Sequence, residues 1–213
     1  MPDDRVIAEL TAGLEPVRRL WSPARRLALW LALGTGVGLG LVAGATRPDL
    51  RLQLAQPRFL LEIATLLILT IGIAHRALAA AVPGAETPRT DRVIAAALVV
   101  VIAILAGLPV DATAFGAIGL QAWGCAQRTL LLASLPWLGL LVAQRRGAPL
   151  RPRASAITAA AAGFALAFGF MRLACGMDEA LHLVVWHACP ALIGLACSMT
   201  LGATWVGRWR TRL

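Results

Sequence analysis

Apolar positions dominate this chain in long, nearly unbroken runs, and polar positions gather between them. A helix needs about 20 mostly apolar residues to cross the hydrocarbon of a bilayer. The runs Leu27–Ala45, Phe59–Val82, Val93–Val110, Thr129–Ala143, Ala154–Leu173 and Leu183–Val206 approach that requirement, the fourth being somewhat short and carrying Pro136. The pattern predicts an all-α integral membrane protein. Residues 27–207 form a bundle of six transmembrane helices, preceded by a short cytoplasmic amphipathic helix in the tail 1–26 and followed by a tail at 208–213.

In the first tail, Val6, Ile7, Leu10, Leu14 and Val17 recur at helical spacing and make a narrow apolar stripe. Asp3 and Asp4 suit the positive end of such a helix. Pro16 and Pro23 lack the N–H an interior turn requires, so they are expected to break it before the membrane. A helix lying on a membrane is normally basic along its polar face. Here Arg5 alone precedes the stripe, and the other arginines, Arg18, Arg19, Arg25 and Arg26, gather at the end of the tail. Docking in a partner's groove needs only apolar anchors at i, i+3, i+4 and i+7. The stripe therefore reads as a partner-binding surface.

Composition excludes an ordinary soluble domain. The chain is 59% hydrophobic and 15% charged, where soluble domains are about half apolar and about a quarter charged. All 20 basic residues are arginine, and the net charge is +9. They sit at the ends of apolar runs rather than on one folded face, which argues against direct binding of nucleic acid. Fifteen fall on the side of the N-terminus and five (Arg47, Arg51, Arg58, Arg128 and Arg172) on or near the other. By the positive-inside rule both termini are expected in the cytoplasm, with the chain multi-pass in a bacterial inner membrane. The first apolar run starts behind an acidic segment, unlike a cleavable signal, so the tail is expected to stay attached.

Several polar or small residues inside the runs have plain explanations. Glu62 and His75 lie near the ends of the second run and are expected to snorkel to the interface. Gly36, Gly40 and Gly44 are four apart and are expected to pack against another helix of the bundle. Trp123, in the outer connection Asp111–Arg128, suits headgroup depth.

Candidate chemistry concentrates at Phe170–Pro190, FMRLACGMDEALHLVVWHACP, which brings together Cys175, Met177, Asp178, Glu179, His182 and His187 between two spans. Asp178 and Glu179 are adjacent, point in different directions on a helix, and read as a solvated loop. Pro190 is expected to kink the last span, and His182 and Cys189, seven apart, share a helical face. Cys125 and Cys175 both fall in outer connections, where an oxidising compartment permits disulfides. Cys175 and Cys189 on continuous helix would be about 20 Å apart, whereas a bridge needs Cα atoms within about 7 Å. Among the possible pairings, Cys125 with Cys175 is thus the plausible one. Three readings stay open: a permanent staple, a reversible pair reporting oxidants, or a site for a soft ion such as Cu(I). Met177, His182 and His187 are further candidate ligands in the last case. No P-loop, GxSxG or HExxH occurs, so the chain is read as a non-enzyme with no required cofactor beyond a transiently bound soft ion.

Taken together, the chain resembles the NrsF family, membrane anti-sigma factors named for negative regulation of sigma-F. The resemblance rests on LTAGLEPVRRL (Leu10–Leu20), the six-span layout, the outer cysteine between the third and fourth spans, and C-x-x-D-E…W-H-x-C-P at Cys175–Pro190. It implies that the tail holds an extracytoplasmic-function sigma factor away from RNA polymerase. It also implies that Cys125 and Cys175 sense heavy-metal or oxidative stress and cause release. The alternative is a transporter or channel for a small solute or metal, which requires a polar path through the bilayer. The spans offer only Glu62, His75, Gln121 and His187, mostly near edges. A haem protein would need paired histidines at one depth, and His75 lies at the wrong end of its span.

Overall fold

The computed structural model describes residues 4–12, 20–82, 84–85, 88–110 and 120–207, and among these every regular element is helical. In order they are α1 (Asp4–Thr11), α2 (Pro23–Val42), α3 (Leu50–Leu54), α4 (Pro57–Ala79), α5 (Pro88–Ala106), α6 (Leu120–Arg145), α7 (Pro152–Ala174), α8 (Ala180–His182), a π-helical turn (Leu183–Ala188) and α9 (Cys189–Thr204). Prolines open α2, α4, α7 and α9, where a missing N–H costs no hydrogen bond. Pro23 therefore starts the first long helix instead of ending the tail helix.

Among the described residues, five segments are long and apolar enough to cross a membrane: α2, α4, most of α6, α7, and the continuous stretch Ala180–Thr204. The expected third span is the difference. Its helix α5 stops at Ala106, and its opening segment Pro88–Arg92 carries Arg89, Asp91 and Arg92. The apolar remainder is about 21 Å long at the helical rise, against about 30 Å of hydrocarbon. Even so, α5 lies antiparallel along the full length of α4. Arg76 Nε meets Asp91 Oδ1 at 2.9 Å, Ile94 packs on Gly72, and Arg58 donates to the Ile104 carbonyl at 3.0 Å.

The core is built around α7, whose residues Ala156, Ala159, Ala160, Ala162 and Ala167 are completely buried. Small side chains let neighbouring backbones approach closely. A side chain on Gly163 would lie 3.0 Å from the Trp137 backbone nitrogen on α6, and one on Gly202 would lie 2.7 Å from the Pro152 carbonyl oxygen. Helix α2 packs through Trp30, Gly34, Gly38 and Val42. Trp30 Nε1 donates to the Pro136 carbonyl at 2.7 Å, and Phe170 fills the space above Gly38. This corrects the expected packing face, because Gly36, Gly40 and Gly44 have nothing within 4 Å of where a side chain would be. The stripe used for packing is the one two residues earlier.

The helix ends nearest the start of α2 form the proximal end of the bundle. There the Gln144 amide donates to the carbonyls of Ala77 (3.1 Å) and Ser155 (2.8 Å), and Arg26 donates to the Leu78 carbonyl at 3.0 Å. The bonds to Ala77 and Leu78 satisfy carbonyls that the end of α4 leaves without helical partners. The tail helix α1 has Val6 and Ile7 exposed, at 51% and 52%. Leu10 belongs to α1, but its side chain lies outside the described residues, as do Leu14 and Val17 entirely.

Candidate functional site

At the distal end of the bundle, α6, α7 and the segment entering α9 converge. Cys125 is not in a connection between spans as expected. It sits on α6, which begins at Leu120, so the expected short fourth span is a 26-residue helix. Cys175 ends α7 as its C-terminal cap. The two sulfurs are 3.9 Å apart, and both residues are buried. His182 Nε2 lies 3.4 Å from the Cys175 sulfur. The His187 ring stands edge-on to that of His182, with centroids 5.1 Å apart. All four ligand atoms lie within 4.8 Å of one another, and all four residues are buried.

The local chain geometry explains why the histidines meet. In an α-helix, residues five apart are separated by about 140° around the axis, so His182 and His187 would diverge. Pro190 has no N–H to give the Trp186 carbonyl, and its ring crowds that position. The turn before it widens instead: the Cys189 N–H donates to the Val184 carbonyl, five residues back. With this i→i+5 bonding the turn takes in one more residue, and residues five apart come round to the same side of the axis. The expected kink at Pro190 is thus a π turn, and the expected shared face of His182 and Cys189 is lost, since Cys189 is exposed. Met177 is 42% exposed, so of the sequence-derived ligand candidates only the cysteines and histidines form the buried cluster.

Beside the cluster runs an ion network that the sequence pattern did not announce. Arg172 pairs with Glu62 and with Asp178 at 2.7 Å. Asp178 also pairs with Arg47 at 2.6 Å, and Arg47 pairs with Asp49 at 2.7 Å. Phe59 faces both guanidinium groups, at 5.7 and 5.6 Å, a cation–π geometry. Two expectations are corrected here. Glu62 is 3% exposed and does not snorkel, because Arg172 is at hand. Asp178 is not a freely solvated loop carboxylate, because it bridges two arginines. Their wrong-side placement under the positive-inside pattern was the one available signal.

Burial raises the Asp178 carboxyl, but hydrogen bonds from Arg47 and Arg172 outweigh it and hold the group below the usual aspartate range. Arg47, followed by Gln53, does the same for Asp49. Hydrogen bonding with Cys125, and then with His182, holds the Cys175 thiol well below its ordinary range against the opposing effect of burial. Cys175 is therefore the more thiolate-like of the pair, which suits it to metals and oxidants alike.

A helical bundle with several segments long and apolar enough to cross a membrane, and a buried thiol–imidazole cluster at one end, has the character of a membrane protein. The family described as NrsF, negative regulator of sigma F, matches residues 10–209, and the chain belongs to it. Neither a curated protein nor a solved structure matches. The matched stretch includes Cys125, Cys175, His182 and His187 as well as Leu10, Leu14 and Val17, while Val6 and Ile7 precede it.

Proposed function

We propose that this negative regulator of sigma F is a membrane-bound anti-sigma factor. It holds an extracytoplasmic-function sigma factor through Val6, Ile7, Leu10, Leu14 and Val17, and releases it when Cys125 and Cys175 react with a thiophilic metal or an oxidant. The observation that carries the sensing half is the approach of two thiols from different helices to 3.9 Å, at the distal end of the bundle. In this reading the proximal end and both termini face the cytoplasm, and α5 crosses the inner membrane with α4 as a sixth span. The alignment of α5 with α4 from Asp91 to Ile104 supports that count, and the arginine asymmetry supports the orientation.

Joining the thiols draws the starts of α6 and the last span toward the end of α7. Helices are stiff, so their proximal ends move and alter how the tail is presented. Shifting such an equilibrium from 99:1 to 1:99 requires about 5.5 kcal/mol of differential affinity, which ligation by more than one thiolate can supply. The test is a reporter of the sigma factor's regulon in cells carrying Cys125→Ser, Cys175→Ser or both, alongside Leu10→Glu. The cysteine variants are expected to abolish the response to cadmium and peroxide, and Leu10→Glu to raise basal expression at unchanged membrane abundance. A normal response in all three cysteine variants would refute the sensing half, and unaltered repression by Leu10→Glu would refute the tail contact.

A further inference from the structure

We infer that Cys125, Cys175, His182 and His187 make a single tetrahedral site for a divalent ion of the zinc and cadmium class, for whose sulfurs an oxidant competes. This deepens, and rests on, the reading of Cys125 and Cys175 as sensing thiols. Tetrahedral zinc has bonds of about 2.3 Å to sulfur and 2.0–2.1 Å to nitrogen, which sets sulfur–sulfur and sulfur–nitrogen edges of about 3.8 and 3.6 Å. The Cys125–Cys175 and Cys175–His182 separations, 3.9 and 3.4 Å, fit those edges. His187 supplies the observation that points to a ligand. It is 1% exposed, and although its ring lies near enough to act on the Cys175 sulfur, neither ring nitrogen makes a hydrogen bond of ordinary geometry, and buried polar atoms are rarely left so. The π turn, which weakens the regularity of the last span, is what brings this ring beside His182.

Charge selects the ion. Bound as thiolates beside two neutral imidazoles, the two sulfurs bring two negative charges to a dication, and the sum is zero. A monovalent ion such as Cu(I) on the same donors would leave one uncompensated negative charge in a buried site, which is costly. The thioether that would have favoured copper, Met177, is exposed. Gathering ligand atoms spread over as much as 4.8 Å onto an ion contracts the cluster by about 1 Å.

An oxidant acts on the same sulfurs. Hydrogen peroxide takes two electrons and two protons from the thiols, giving one S–S bond and two water molecules. The sulfurs then lie about 2.05 Å apart and are no longer thiolate donors, so the oxidised protein cannot hold the ion and the loaded protein resists oxidation.

The test uses the full chain in detergent, reduced with a thiol-free phosphine and then freed of it. Titration with Cd²⁺ is expected to give one ion per chain with a sulfur-to-cadmium charge-transfer band. His187→Leu should keep that band and weaken binding by more than about 100-fold, exceeding the 10–100-fold typical of groups that merely orient a ligand. X-ray absorption of the Zn²⁺-loaded wild-type protein should show two sulfur and two nitrogen neighbours, a readout that needs no variant. Peroxide treatment should remove two titratable thiols and abolish Cd²⁺ binding, and preloading with Cd²⁺ should slow that loss. Unchanged affinity in His187→Leu, a first shell without two nitrogens, or undiminished binding after oxidation would each overturn the inference. A normal regulon response in the Cys125→Ser and Cys175→Ser strains, with the site intact in vitro, would instead overturn the sensing function and leave the site standing.

Discussion

Replacing Glu62 by leucine removes the carboxylate that pairs with Arg172 while leaving Asp178 as that guanidinium's remaining partner. Both side chains are nearly inaccessible, at 5% and 2% exposure, so water cannot replace what is lost. Breaking a buried pair from one side costs about 3–5 kcal/mol. The surviving bond to Asp178 places the expected loss toward the lower figure, about 3 kcal/mol. For a chain of this length, each kcal/mol moves the melting midpoint by about 2–4 °C, so Glu62→Leu should lower it by about 6–12 °C in detergent. Pairing it with Arg172→Met removes both charges and leaves apolar side chains of similar size, a replacement that is often neutral. The double variant should therefore melt well above the sum of the single losses, with a coupling of about 2–3 kcal/mol. Thermal unfolding followed by tryptophan fluorescence is the assay. Additive losses would mean that the two residues stabilise the bundle independently, and the argument from a desolvated pair would fail.

Two further outcomes follow from the packing and the charges. Gly38→Ala should destabilise by about 1–3 kcal/mol, because its methyl group overlaps the Phe170 ring. Gly36→Ala has open space and should be neutral or stabilising by up to about 1 kcal/mol through helix propensity; a reversed order would restore the packing face first read from the glycine spacing. Because Asp178 titrates lower in the folded chain than its ordinary value of 3.8, its contribution is fully present above that pH and is lost as pH falls through the lowered value. The Asp178 contribution should thus leave melting midpoints unaffected above about pH 5 and appear as a fall below about pH 4, with Asp178→Asn showing a shallower fall there.

The long apolar runs made legible the five segments long and apolar enough to cross a membrane, since hydropathy over about 20 residues is a strong signal. The donor types of the cluster were legible for a similar reason, because thiols and imidazoles are conspicuous in so apolar a chain. Its geometry was not. Placing His187 beside His182 depends on one widened turn, and any reading at α-helical period sends the two apart. The Arg172–Glu62 pair joins residues 110 positions apart, a separation at which no local spacing rule operates. In α2, two stripes share a four-residue interval, and the interval alone does not say which one faces inward.

The wide turn also divides the thiols into two populations. One surplus residue before Pro190 changes the rotational phase of everything after it, and Cys189 and Cys197 emerge on the outer surface of the bundle while Cys125 and Cys175 stay enclosed. Acyl chains, rather than ions, are then the natural neighbours of the outer two. Excising a single position from that turn would re-index the last helix and exchange what its thiols encounter.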